Sequence, residues 1–209
     1  TRNFSESIKE QLKNWLKDRY NLIFLGILLL VIVLRLYHFN ITKEQTLWWD
    51  EAEYMAGAKM FAFDVPYEIN PQRQPTFQFI ASLFFSAGFG EQTVKFFLVF
   101  IPSVFLVFAV YILGKEMFDK KIALIATFLI SISWTFLFWA ARIQPDFISM
   151  SFQVLAILFM WRYWKNPKTL PVILAGIFSG LAFQFKISGL LIPLIFGVFI
   201  FIKDRFSAF

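Results

Sequence analysis

The chain has no cysteine and a single histidine, His38, among 209 residues. Without thiols it can hold no disulfide, thiolate metal site or cysteine nucleophile, and one imidazole cannot build a histidine zinc site. Any metal must be a hard ion held by carboxylates. Acids are also scarce, 14 against 20 Lys and Arg, which leaves a net charge of +6. In a soluble protein that excess would suggest nucleic acid. Here the basic residues punctuate apolar runs, as orientation signals do, and the chain shows no nucleic-acid motif and no internal repeat.

What the sequence has in abundance is apolar surface: 58% apolar residues, 21% aromatics and 30 Phe. A soluble domain could not hide so much, so the chain belongs in a bilayer. Its apolar runs cover 22–37, 77–89, 94–113, 122–141, 147–164, 170–185 and 189–202. A crossing helix needs about 20 residues, somewhat fewer when flanking side chains snorkel. The run 77–89 is the shortest and would cover only about 20 Å at 1.5 Å per residue, so it is assigned to the interface.

Charge counting supports that choice, because cytoplasmic loops are enriched in Lys and Arg. If 77–89 does not cross, thirteen basic residues fall inside and six outside, with Arg35 left within the first span. If it crosses, the split becomes eight inside and eleven outside. The expected architecture is therefore all-α, a polytopic bundle of about six transmembrane helices with both termini cytoplasmic. A long outer loop, 38–92, carries two juxtamembrane helices. Residues 1–20 read as a basic amphipathic helix on the inner leaflet, with Ser7 and Glu10 as a capping box and Ile8, Leu12, Trp15 and Leu16 on one face. No small-residue cleavage site follows the first apolar run, which ends Arg35-Leu36-Tyr37-His38, so that run is read as a retained anchor.

The outer loops hold the candidate chemistry. In Leu47-Trp48-Trp49-Asp50-Glu51-Ala52-Glu53-Tyr54, a tandem acid pair follows two tryptophans, a setting that holds carboxylates at the interface level. Asp50 with Glu53 three residues later also fits a capping box opening a helix to about Phe63. The second short helix, 76–89, follows Pro71-Gln72-Arg73-Gln74-Pro75, where Arg73 is either a functional cation or a snorkelling one. Ala141-Arg142-Ile143-Gln144-Pro145-Asp146 brings Arg142 and Asp146, which also fit a helix cap and its partner. Lys186 sits at the third outer turn. Together, three connections on one face bring cations and two also bring acids. That arrangement suits a substrate carrying a phosphate at headgroup level, gripped by the Arg fork and the Lys point charge.

These motifs resemble those of the GT-C glycosyltransferases: Asp-Glu in the first outer loop, Arg-x-Pro before a short interfacial helix, Arg-x-x-x-Asp in the second outer loop and Lys-x-x-Gly in the third. The nearest branch is the protein O-mannosyltransferase and lipid A aminoarabinose transferase group, and the resemblance spans about residues 20–205. It implies a polyprenyl-phosphate-linked sugar donor, a hydroxyl-bearing acceptor and an inverting transfer on the extracytoplasmic face of a membrane, expected to be a prokaryotic plasma membrane. Asp50 would be the general base and Glu51 its support. Arg73, Arg142 and Lys186 would stabilise the phosphate leaving group, and Asp146 would orient Arg142 or touch the sugar. If a divalent metal such as Mg or Mn takes part, Asp50, Glu51 and Asp146 are its candidate ligands.

Such enzymes commonly have more spans and an outer carboxyl-terminal domain. The chain opens on Thr1 and stops at Phe209 after the sixth expected span, so it is expected to be a piece of a longer protein. Two other classes compete. A transporter would place ionisable groups or broken helices near the bilayer midplane, whereas the fourteen acids fall in loops or at helix ends, although Gly176, Gly180, Pro193 and Gly197 interrupt the last two spans. A non-catalytic membrane scaffold would tolerate loss of Asp50.

Overall fold

The computed structural model describes residues 9–10 and 13–207, with side chains described to residue 202. All its regular structure is helical, and no strand occurs among the described residues. Helix α1 spans Arg19–Thr42. Asp18 caps it by accepting from the Tyr20 amide at 2.9 Å, which satisfies one of the free N–H groups of a helix start. Helices α2 (Trp49–Phe63) and α3 (Pro75–Ser86) follow in the first long connection. Proline opens α3, where its missing N–H costs nothing.

Helix α4, Glu91–Met117, is continuous but widens to a π-turn over Phe96–Phe100. Pro102 lies just beyond. It has no N–H to give to the carbonyl four residues back and its ring crowds that carbonyl, so the wider turn relieves the strain. Helices α7 (Asp146–Lys165), α8 (Thr169–Phe185) and α9 (Leu191–Ser207) complete the chain, with a 3₁₀ turn, Ile187–Leu190, before α9. That turn passes so close to α8 that a Cβ on Gly189 would lie 2.4 Å from the backbone of Ala182 and Phe183.

Among the described residues three helices, α1, α4 and α7, are long and apolar enough to cross a membrane. At 24 residues α1 would measure about 36 Å. The remaining expected spans differ. Over 122–141 the chain forms two helices, α5 (Lys120–Ile132) and α6 (Trp134–Trp139), separated by Ser133 in an extended conformation. The cause is local: Thr127 and Ser131 turn their hydroxyls back onto the carbonyls of Ala123 and Thr127, each at 2.6 Å. Such back-bonding bends helices, and Ser133 is a residue type suited to opening the next one. Helices α8 and α9 reach only 17 residues each.

Polar contacts sort to opposite ends of these helices. At one end Lys120 pairs with Asp18, and Arg162 with Glu116. At the other, Lys95 meets Thr42, and Lys186 meets Asp146. Between them the flanks are aliphatic and outward facing, including Leu29 and Val33 on α1, Ile125 and Leu129 on α5, and Leu194 and Val198 on α9. A surface of that kind is stable against lipid.

One group breaks the pattern. Arg35 is 1% exposed inside α1, and its three guanidinium nitrogens have no hydrogen-bond partner among the described residues. Of the amino-terminal amphipathic helix, Ser7, Ile8 and Leu12 lie outside the described residues. Trp15 and Leu16 are helical and more than a third exposed.

Candidate active site

The core under the polar end is built from α2, α3, α4, α7, α8 and the loop before α7, through Tyr54, Met55, Phe77, Phe85, Ile143 and Phe185 among others. Gly57 lets α2 and α3 close together: a Cβ there would lie 2.4 Å from Oε1 of the buried Gln78. This packing fixes the first turn of α2, and that turn carries the acid pair.

Helix α2 starts at Trp49, one residue ahead of Asp50, with Trp48 at the cap position. The capping box expected from Asp50 and Glu53 does not form. Glu51 takes that role instead, its Oε2 accepting from the Trp48 amide at 2.8 Å. Asp50 and Glu53 are left one turn apart on the same face, and both reach Arg73. The Arg73 Nη2 donates to Asp50 Oδ1 at 2.5 Å, its Nε to Glu53 Oε2, and its Nη1 to the Tyr54 hydroxyl at 3.4 Å. The guanidinium also lies over the Tyr54 ring, 5.0 Å from its centre. Glu53 is held further by the Trp49 indole N–H at 2.8 Å.

The electrostatics follow from this fork. Burial works against the Arg73 charge, but Tyr54, Glu53 and Asp50 outweigh it and hold its pKa above the ordinary value. Burial opposes ionisation of Glu53 too, yet the hydrogen bonds from Arg73 and Trp49 keep its carboxyl below the usual range. Burial raises the Tyr54 hydroxyl, with Arg73 pulling the other way and the charges of Asp146 and Asp50 adding to the rise. Tyr54 thus senses both acids.

Glu51 points elsewhere. Its side chain is 4% exposed against 48% for Asp50. Besides Trp48, it accepts from the Ile143 amide at 2.6 Å and from Arg142 Nη1 at 3.3 Å. Arg142 is buried as well and stacks on Trp48, 3.6 Å from the ring centre. Glu51 therefore ties the first outer connection to the second. Asp146 pairs with Lys186 rather than with Arg142, which ties the second connection to the third.

The six residues singled out in the sequence thus form three ion pairs: Asp50 with Arg73, Glu51 with Arg142, and Asp146 with Lys186. Sequence reasoning missed Glu53, Tyr54 and Trp48 as site components. The spacing of Glu53 and Tyr54, three and four residues after Asp50, was the available signal. Each of the three candidate metal-binding carboxylates is engaged by a cation. Among the described residues no group of three or more His, Cys, Asp or Glu side chains is gathered as a metal would need.

Of the three carboxylates singled out in the sequence, Asp50 is the most exposed, and it stands beside the strongly held Arg73 in a helical membrane scaffold. A family model for dolichyl-phosphate-mannose-protein mannosyltransferases matches residues 70–208. The chain belongs to this family. As a member of the mannosyltransferase family it is an integral membrane glycosyltransferase with the all-helical GT-C architecture. The matched stretch contains Arg73, Arg142, Asp146 and Lys186 and begins after Asp50 and Glu51. No curated protein and no solved structure matches the chain.

Proposed function

We propose that the chain transfers a sugar, mannose by the family's description, from a polyprenyl-phosphate carrier to a hydroxyl acceptor on the extracytoplasmic face. The observation that carries this reading is the contrast within the acid pair. Glu51 is closed off by three N–H donors, whereas Asp50 is half exposed and aimed by Arg73.

In the proposed step the acceptor oxygen attacks the anomeric carbon from the face opposite the phosphate. The bond from that carbon to the phosphate oxygen breaks, and Asp50 takes the hydroxyl proton. The products are an inverted glycoside and the free polyprenyl phosphate, with no covalent sugar-enzyme intermediate. Charge grows on the departing phosphate, so preorganised cations lower the barrier. Arg73 and Lys186 are the cations assigned to it. Each is now bridged to a carboxylate and would exchange part of that contact for phosphate oxygens. Arg142 acts through Glu51 as a positioning residue, holding the second outer connection against the turn that presents Asp50. Asp146 aims Lys186. No step calls on a metal.

The test is transfer of labelled mannose from polyprenyl-phosphate mannose to a hydroxyl acceptor by the full-length protein in liposomes, with polyprenyl phosphate assayed as co-product. Equal amounts of glycoside and polyprenyl phosphate are expected. Uptake of solute without transfer would instead identify a transporter.

A further inference from the structure

Behind Glu51, away from Asp50, lies a cavity of about 670 Å³ between the end of α1, α2, the start of α4 and the loop 141–143. Four basic and three acidic side chains line it, while Asp50, Arg73, Asp146 and Lys186 do not. Most of this lining charge is paired internally: the partly exposed Lys59 with Glu91 at 2.7 Å, and the buried Arg142 with Glu51 at 3.3 Å.

Lys95 is different. It is 5% exposed, and its ammonium donates to the Thr42 carbonyl at 3.2 Å and the Thr42 hydroxyl at 2.8 Å, both uncharged. Among the described residues no carboxylate forms an ion pair with it. Glu51 and Arg142 act on it through space with opposite signs, and Glu51 is engaged by three donors of its own, Arg142 among them. A buried ammonium is costly without a counter-charge. Two of its hydrogen bonds go to Thr42, and its Nζ lies 5.5 Å from the centre of the Phe39 ring, which leaves the ammonium with no anion beside it.

A second observation says what the anion is attached to. A trough of about 260 Å³ adjoins the cavity, sharing Gln92 and Thr93 with it, and is otherwise walled by Phe39, Phe96 and Phe97. It runs along the flank between α1 and α4, two of the helices long enough to cross the membrane. Phe97 is almost half exposed there. An anion pocket at headgroup level that opens into an apolar trough along membrane helices has the outline of a lipid.

We propose that this cavity is a phospholipid site, in which the headgroup phosphate of a glycerophospholipid sits beside Lys95 and an acyl chain lies against Phe39, Phe96 and Phe97. The site goes beyond the proposed transfer reaction. A sugar carrier placed here would face Glu51, whose carboxylate is closed, rather than Asp50. The lipid instead supplies the charge that Lys95 lacks and braces the connection from which Arg142 reaches Glu51.

The experiment is native mass spectrometry of the full-length protein in neutral detergent, titrated with phosphatidylglycerol and, in parallel, with diacylglycerol, which has the chains without the phosphate. One phosphatidylglycerol held in clear preference to diacylglycerol is expected. Lys95→Gln should weaken it about tenfold, the worth of one charge-assisted contact, and Lys95→Arg should largely retain it. Gln92→Trp fills the passage between cavity and trough from an exposed position without touching Lys95, and it should abolish binding even if Lys95→Gln fails to fold. Equal retention of both lipids, or full binding by Gln92→Trp, would overturn the site. Displacement of phosphatidylglycerol one for one by polyprenyl phosphate would also overturn it, by assigning the pocket to the carrier.

Discussion

Replacing Glu51 by Gln should destabilise the protein strongly, although the side chain keeps its size. The carboxylate of Glu51 receives three N–H donors at 2.6, 2.8 and 3.3 Å, one of them from the buried Arg142. A Gln amide offers one acceptor oxygen and turns an NH₂ toward the remaining donors, while Arg142 loses its counter-charge. Breaking a buried pair from one side costs about 3–5 kcal/mol, and an unmet buried donor costs about 1–3 kcal/mol on its own. A loss of about 3–5 kcal/mol in all is the expectation, since the two effects overlap. Arg142→Met should cost less, because the two backbone amides still hold the carboxylate. The double variant should show a coupling of about 0.5–3 kcal/mol, as contacting residues do. Thermal unfolding in detergent, followed by tryptophan fluorescence, measures all four proteins. If Glu51→Gln unfolds within about 0.5 kcal/mol of wild type, the size of an ordinary surface substitution, the tie between the outer connections is refuted.

Three further outcomes follow from the same geometry. Because Arg73 and Trp49 hold the folded Glu53 carboxyl below its ordinary pKa, its contribution to stability is complete above the unfolded value and is lost as pH falls through the depressed one. Glu53→Gln should therefore flatten the acid limb of a stability-against-pH curve and lower the plateau at neutral pH, as acid titration of the unfolding temperature will show. Arg35→Met removes a buried guanidinium without a hydrogen-bond partner among the described residues. It should leave stability unchanged or raise it by about 1–4 kcal/mol in denaturant unfolding, as apolar replacement of buried charge often does. Gly189→Ala should cost about 1–3 kcal/mol or more, since the new Cβ would stand 2.4 Å from the α8 backbone and the helix cannot yield as a side chain would. A drop in unfolding temperature measures it.

Much of the candidate site's make-up was legible because polar residues are conspicuous in an apolar chain. With apolar runs marking the helices, the cations and acids of the outer connections stood out, and the structure brings all six singled-out residues to one end of the bundle as three ion pairs. Their partners were not legible. Arg142 and Asp146 are four residues apart and read as mates, yet the loop between them turns so that each finds a partner from another connection. Sequence spacing cannot report that turn. The difference within the acid pair was hidden too, because helix α2 begins two residues earlier than Asp50 as cap requires, which turns Glu51 inward and leaves Asp50 out.

The helices were legible in kind and less so in length. The run over 122–141 is apolar throughout, and hydropathy alone reads it as one span. Its break at Ser133 comes from hydroxyls competing for carbonyls, a local effect that an average over apolar residues cannot register. Lys95 drew no notice as one outer cation among six. Only the approach of α4 to the end of α1 buries it.

The most direct measurement is sugar transfer from polyprenyl-phosphate mannose in membranes carrying the full-length protein, with Asp50→Asn beside wild type. Asn keeps the shape and can still accept from Arg73, but it cannot take a proton. Transfer should fall by about 10²–10⁴-fold, the range that general base catalysis supplies, while expression and unfolding temperature stay near wild type. Transfer by Asp50→Asn at the wild-type rate would contradict the assignment of Asp50 as the base.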